Sequence, residues 1–187
     1  METQTIFFVG KPVSGKGTQA TLLSSVTGWP IISTSGAMRT MTAEGGAVGK
    51  KLRESMDAGI LTPYWLAAYI FLESLFSVPE NGNVIFDGAN RTLLEAQIVM
   101  DSLAWLKRPY HMFHLQVSDA EVRKRVELRR GKENRLDDHA VDKRLEEYYA
   151  HTAKVVEFYR TAGVLIEVNG EQAPEAIAAD IKNILKI

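Results

Sequence analysis

The chain predicts an α/β fold, a five-stranded parallel sheet wrapped by helices. Three observations carry that prediction. Five short apolar runs end in glycine or a polar residue, as strands buried on both faces do. Longer stretches of helical character separate them. The first run passes through a glycine-rich turn directly into a helix, a βα join that aims backbone N–H groups at one spot.

The strand candidates are TIFFVG (5–10), PIIS (30–33), NVIFDG (83–88), HMFHLQV (111–117) and VLIEVN (164–169). Helices are expected over 16–27, 36–58 with a break near Gly45–Gly46, 63–77, 93–107, 119–130, 139–161 and 174–186. Thr62-Pro63 reads as a helix start, with threonine as cap and proline in the first turn; Asp119 and Pro174 open helices in a similar way. In such folds ligands bind beyond the carboxyl ends of the strands.

Composition narrows the function classes. The 187 residues suffice for one hydrophobic core, and 45% hydrophobic with 24% charged residues is ordinary for a globular protein. A net charge of −1 gives no global field for nucleic acid or a membrane, so neither partner is expected. There is no cysteine, hence no disulfide and no thiolate metal site, which fits a reducing compartment and a cytoplasmic location. The N-terminal METQTIFFVG is acidic with a short apolar run, unlike a signal peptide or a membrane span. The four histidines lack metal-ligand spacing, and no Ser–His–Asp signature is present.

The chemistry concentrates in GKPVSGKGTQ (10–19), a G-x4-G-K loop between the first strand and the first helix. Its backbone N–H groups and the helix N-terminus suit phosphate; Lys16 can reach the outer phosphates of a nucleoside triphosphate, and Thr18 can offer a hydroxyl. Seven of the 22 basic residues fall within 123–135, and Arg125 and Arg129 share a helix face. Asp87 closes the third strand, where a carboxylate can hold magnesium through water or cap a turn.

The loop resembles the G-x-P-G-x-G-K-G-T-Q segment of the adenylate kinase family of nucleoside monophosphate kinases. ISTSGAMR (32–39), MDAGILTP (56–63), FDGANRT (86–92) and LRRGKENRLDD (128–138) with KRLEEYY (143–149) resemble further family segments in the same order. The resemblance implies a P-loop kinase with its core at 1–32, 63–129 and 139–187, an acceptor-binding insertion at 33–62 and a short lid at 130–138, the last two closing over substrate. It implies transfer of a phosphoryl group from Mg-ATP to a nucleoside monophosphate, AMP by default, by a monomer that binds ATP or ADP. Gly10, Ser14, Gly15, Lys16, Gly17, Thr18, Arg125 and Arg129 would then bind ATP. Thr34, Arg39, Gly88, Arg91 and Glu95 would bind the acceptor, and Asp87 the metal through water. Lys16, Arg91, Arg125, Arg129, Arg135 and Arg144 would act on the transferring phosphates, a task of positioning and charge neutralisation that favours arginine forks. Arg123, Lys124 and Arg130 read as solvated helix-face charges, and Asp137 and Asp138 as helix caps or as orienting groups for lid arginines.

The departures are specific. Val13 replaces a glycine in the loop, and a β-branched side chain disfavours positive φ. Gly36 replaces an aspartate, Ala89-Asn90 a Phe-Pro pair, Tyr64-Trp65 two acidic residues, and Glu95 a glutamine that reads the acceptor base. A carboxylate only accepts hydrogen bonds, so Glu95 matches the adjacent donors of guanine better than adenine. Three readings therefore stand: an AMP kinase, the same enzyme with GMP or another acceptor, or a nucleotide-binding protein that has lost turnover.

Overall fold

The computed structural model describes residues 3–129 and 140–187. The elements are β1 (Thr5–Val9), α1 (Lys16–Thr27), β2 (Ile31–Ser33), α2 (Thr34–Glu44), α3 (Gly46–Asp57), α4 (Tyr64–Ser77), β3 (Val84–Asp87), α5 (Leu93–Trp105), β4 (His111–Gln116) and α6 (Asp119–Arg129). They continue with α7 (Val141–Glu147), a π turn (Tyr148–Thr152), α8 (Ala153–Thr161), β5 (Leu165–Asn169) and α9 (Pro174–Leu185). The strands form one parallel sheet in the order β2-β3-β1-β4-β5, with Phe7 of β1 in register with Phe86 of β3 and Met112 of β4.

Every residue of β1 is buried, because the central strand is covered on both faces. Ile6 and Phe8 point to the α1 and α9 side, where they meet Ala20, Leu23, Ile177 and Ile181. Phe7 and Val9 point to the α4, α5 and α8 side, among Phe71, Val99, Leu103, Val155 and Tyr159. Phe7 stacks on Phe86 at 5.0 Å, and Phe71 tilts against Phe86 at 5.1 Å. Each such aromatic removes roughly 150–250 Å² from water, so this cluster dominates the packing on its face.

The segment between β2 and α4 forms the paired helices α2 and α3, broken at Gly45 and Gly46, both at positive φ, as the sequence predicts. A Cβ at Gly49 would stand 2.4 Å from the Met41 carbonyl oxygen, so glycine permits the close approach of the pair. Met38 and Leu52 then pack on Leu66, Ala67 and Ile70 of α4. Two local details differ from expectation. Pro63, not Thr62, is the cap residue of α4, and the Thr62 hydroxyl turns instead to the Met38 sulfur. The helix expected to run unbroken from 139 to 161 carries the π turn at Tyr148–Thr152, a feature that one extra residue per turn creates and that hydrophobic periodicity does not reveal.

At the amino edge of the sheet Arg108 is buried at 8% exposure. Its guanidinium donates to the Thr5 hydroxyl at 2.7 Å and to the carbonyls of Pro79, Glu80 and Gly82, tying the loop before β3 to the start of β1. Substitution Arg108→Ala removes the donor to the Thr5 hydroxyl and to the Glu80 and Gly82 carbonyls, while the Pro79 carbonyl keeps the Gly82 N–H, and it is expected to lower the unfolding free energy by about 3 kcal/mol. Urea titration measures it, and a change below about 1 kcal/mol would mean that water replaces the guanidinium.

Candidate active site

β1 delivers the chain to the carboxyl edge at Gly10. A Cβ there would lie 2.8 Å from the Leu115 carbonyl oxygen of β4, and φ is +145°, so only glycine fits. Gly15, at φ +99°, precedes α1 and supplies no side-chain cap, which leaves the first N–H groups of the helix available to an anion. Lys16 folds back over the loop, donating to the carbonyls of Gly10 at 2.9 Å and Lys11 at 2.6 Å and to the Ser14 hydroxyl at 3.3 Å. Burial pushes its ammonium down to about 7; Asp87 opposes that shift, while Arg91 and Arg144 reinforce it. Thr18 is exposed on the first turn of α1.

Val13 has φ +59°, the left-handed region that a β-branched residue avoids. Its side chain packs with Val141 against the buried cluster Val117, Val122 and Leu145. The loop thus carries strain of about 1–2 kcal/mol and recovers a comparable amount from apolar contact with α6 and α7.

On the opposite wall, Asp87 ends β3 with Oδ2 3.3 Å from where a Cβ of Gly17 would stand. Gly88 at φ +90° and Asn90 at φ +68° then turn the chain so that Arg91 enters the cleft. Asparagine tolerates this conformation, and it is held by the buried Tyr159 hydroxyl, which donates to Asn90 Oδ1 at 2.8 Å. Thr152 of the π turn donates to the Arg91 carbonyl at 2.9 Å. Glu95 is buried in the first turn of α5, its carboxylate accepting from the Arg91 N–H at 3.0 Å and the Thr92 hydroxyl at 3.0 Å. Burial raises its pKa, against the opposing hydrogen bonds. Thr34 is buried at the start of α2, and Arg39 is exposed one turn later. Gly36 sits in that first turn with its N–H on the Ser33 hydroxyl at 3.1 Å; a Cβ there would press on Ser33 at 3.1 Å.

The third wall comes from the helices after β4. Arg125 is fixed by Glu121 at 2.8 Å, the Ser14 carbonyl at 3.1 Å and the Gly170 carbonyl at 2.6 Å, so it clamps the glycine-rich loop to the turn after β5. Arg144 of α7 lines the cleft, and its Cγ would touch a Cβ at Gly59 at 3.3 Å. Leu61 N–H donates to Glu147 at 3.3 Å, a second tie between the inserted helices and α7. Arg129 is the last residue of α6. Arg135, Asp137, Asp138 and the expected lid at 130–138 lie outside the described residues.

These walls enclose a cleft of about 1070 Å³ reaching from the glycine-rich loop to Arg39 and Glu95. It is lined by Gly10, Ser14, Gly15, Lys16, Gly17 and Thr18 on one side, by Thr34, Arg39, Asp87, Gly88, Arg91 and Glu95 on the other, and by Arg125 and Arg144 across the top. The volume exceeds what one small ligand fills. Sequence reasoning missed the clamps: Glu121 on Arg125, Tyr159 on Asn90, and Lys11 on Asp119 at 2.5 Å with Tyr149 donating to the same carboxylate. A charged pair four apart on α6 was the one available signal, for Glu121; the others join residues far apart in sequence.

A model of the adenylate kinase family matches residues 8–164. The chain belongs to the adenylate kinase family. The adenylate kinase of a Synechococcus species is 34% identical over 186 residues, covering 97% of this chain and 95% of that relative. That of Thermus thermophilus is 34% identical over 187 residues, covering 98% of each. The Hyphomonas neptunium adenylate kinase is 32% identical over 185 residues, covering 97% of each. As a member, this kinase is an ATP-dependent phosphotransferase of the nucleoside monophosphate kinase class.

Two measurements follow from the loop of this kinase. Contact with a triphosphate would favour the charged form of Lys16 and raise its pKa from about 7, so nucleotide binding at the loop is expected to take up a proton above that pH. Affinity is then full below about pH 7 and falls as pH rises. Calorimetry in buffers of different ionisation heat is expected to show uptake of about one proton per nucleotide at about pH 8.5. For Val13, alanine keeps the positive φ and loses the packing, whereas glycine loses the packing and relieves the strain. Thermal melts are expected to place Val13→Ala about 1.5 kcal/mol below the parent and Val13→Gly closer to it.

Proposed function

We propose that this kinase transfers the terminal phosphoryl group of Mg-ATP to a nucleoside monophosphate, AMP by default, in the cytoplasm. One observation carries the reading: Lys16, Arg91, Arg125 and Arg144 reach a single cleft from four separate elements, with the glycine-rich loop on one wall and Arg39 and Arg91 on the other. An anionic oxygen of the acceptor phosphate bonds to the γ-phosphorus as the bond from that phosphorus to the β,γ-bridging oxygen breaks, giving ADP and a nucleoside diphosphate. The attacking oxygen is already ionised, so the chain supplies position and positive charge, not a strong base. Lys16 exchanges its loop carbonyls for phosphate oxygens, Arg91 and Arg39 hold the acceptor phosphate, and Arg144 meets the charge in transit, with Arg129 and Arg135 as further candidates. Gly10, Ser14, Gly15, Gly17 and Thr18 would hold the donor phosphates, and Thr34 and Gly88 the acceptor nucleoside.

Asp87 beside Gly17 and the exposed Thr18 hydroxyl are oxygen donors that fit magnesium, Asp87 through water. Magnesium arriving with the nucleotide would neutralise phosphate charge.

Glu95 favours a second reading in which GMP competes with AMP. Its carboxylate lines the acceptor end of the cleft, and two of its lone pairs remain after Arg91 and Thr92 are served. Opposed to adenine N1, an ionised carboxylate costs about 1–3 kcal/mol; toward guanine it meets two donors. Steady-state formation of nucleoside diphosphate, with AMP and GMP in turn, decides between the readings. Arg91→Ala is expected to lower kcat by about 100-fold or more with either acceptor. Glu95→Gln is expected to shift kcat/KM toward AMP by about tenfold relative to GMP. A strong AMP preference that Glu95→Gln leaves unchanged would remove Glu95 from base recognition, and nucleotide binding without turnover would point to a sensor.

A further inference from the structure

We propose that the outer face of α4 is a self-association surface on which two copies of this chain pair antiparallel about a twofold axis. Trp65, Tyr69 and Phe76 are 60%, 53% and 59% exposed, and Leu72 is half-buried beside them. They stand at i, i+4, i+7 and i+11, the alternating spacing of a helix–helix seam, along about 16 Å of helix. The other faces of α4 are already occupied, by Met38 and Leu52 of the inserted helices and by the sheet. Apart from Glu73 and the serines of its last turns the helix is apolar on every face, close to the pattern of an element covered on all sides. Alongside it α5 exposes Leu94 at 55% and Trp105 at 78%. Both helices run from the carboxyl edge of the sheet toward its amino edge, so Leu94 lies toward the Trp65 end and Trp105 toward the Phe76 end.

The exposed parts of these aromatic and leucine side chains sum to on the order of 600 Å² of apolar surface, taking about 200 Å² for each whole side chain. That is the upper end of what a monomer leaves open and approaches the ~800 Å² that each partner contributes to a stable complex.

The charge pattern selects the occupant. Neither α4 nor α5 contains a lysine or arginine. An anionic lipid surface or a nucleic acid would find no cation on either helix. The ionised side chains of the two outer faces are few: Glu73, which accepts from the Tyr69 hydroxyl at 3.2 Å, and Asp101, which accepts from Gln97 at 2.9 Å. A second copy therefore meets little like-charge repulsion. With the axis passing near Ile70 and Phe71, Trp65 lies against Phe76 of the second copy and Tyr69 against Leu72 of the second copy, so every seam residue gains an apolar partner. None of the surface residues Trp65, Tyr69, Leu72, Phe76, Leu94 and Trp105 lines the cleft. This pairing departs from the monomer that the resemblance implies, and the experiment below decides between them.

The test uses the full chain in sedimentation velocity from about 1 to about 100 µM. A concentration-dependent shift to twice the chain mass is expected, weakened at least tenfold in apparent Kd by Trp65→Glu or by Tyr69→Lys. Phosphotransferase activity and circular dichroism serve as the folding control. Because the chain has no cysteine, the register is tested separately. A mixture of Trp65→Cys and Phe76→Cys chains is expected to form a disulfide dimer on mild oxidation at least tenfold faster than Trp65→Cys alone, since only opposed positions bring the Cα atoms within about 7 Å. A monomer at all concentrations would overturn the proposal. So would a dimer indifferent to both charge substitutions, equal cross-linking of the two samples, or co-sedimentation with phosphatidylglycerol vesicles that Trp65→Glu abolishes.

Discussion

The approach of Gly10 to the Leu115 carbonyl is the constraint from which the site is built. β1 lies at the centre of the sheet, buried on both faces, and its end is fixed by β3 on one side and β4 on the other. At Gly10 the chain leaves the sheet alongside Leu115 of β4, where a side chain has no room. That close approach starts the loop that carries Lys16 over its own carbonyls and launches α1 with free N–H groups. A chain displaced here by a single methyl group would move the lysine, the loop and the helix together.

Around this fixed point the cleft is assembled from clamps between distant segments. Arg125 joins the loop to the turn after β5, Tyr159 holds the strained turn at Asn90 that aims Arg91, and Thr152 of the π turn holds the Arg91 carbonyl. Each is a buried or half-buried polar contact whose loss leaves an unsatisfied group, so each fixes orientation more firmly than an exposed pair would. Glu95 belongs to the same system, because its carboxylate orders the first turn of α5 on which Arg91 depends. Under the proposed function, an effect of Glu95 on the acceptor base would therefore be bound up with one on the acceptor phosphate.

Val13 answers the question that the loop raises. In sequence it looks like a defect, since valine disfavours the positive φ of a phosphate-wrapping turn. In the fold it is a contact, packed on Val117, Val122 and Leu145. The loop, α6 and α7 are consequently joined by apolar contact as well as by Arg125. Any movement of α7, which carries Arg144, is felt at the loop through the same valine. The contrast with Trp65 is instructive: both depart from the family pattern, but the valine finds a partner inside the chain and the tryptophan faces solvent.

The strands, most helix bounds, the Gly45–Gly46 break and the glycine-rich loop were legible in the sequence because they depend on local rules, namely burial period, φ freedom and capping. The residue types lining the cleft were legible for a related reason: phosphate demands lysine, arginine and close backbone, whatever the fold around them. The capping of α4 by Pro63 in place of Thr62, the π turn, the tolerance of valine at φ +59° and the carboxylate and tyrosine that hold Arg125 and Asn90 were not. Each is settled by contact between segments far apart in the chain, such as Tyr159 with Asn90 or Val13 with Leu145, and no local pattern encodes which distant partner a residue will meet. The sequence by itself determined the fold class and the phosphate chemistry. Only the tertiary structure decided how those groups are aimed, because aim is a property of packing, and packing is fixed after the chain has closed on itself.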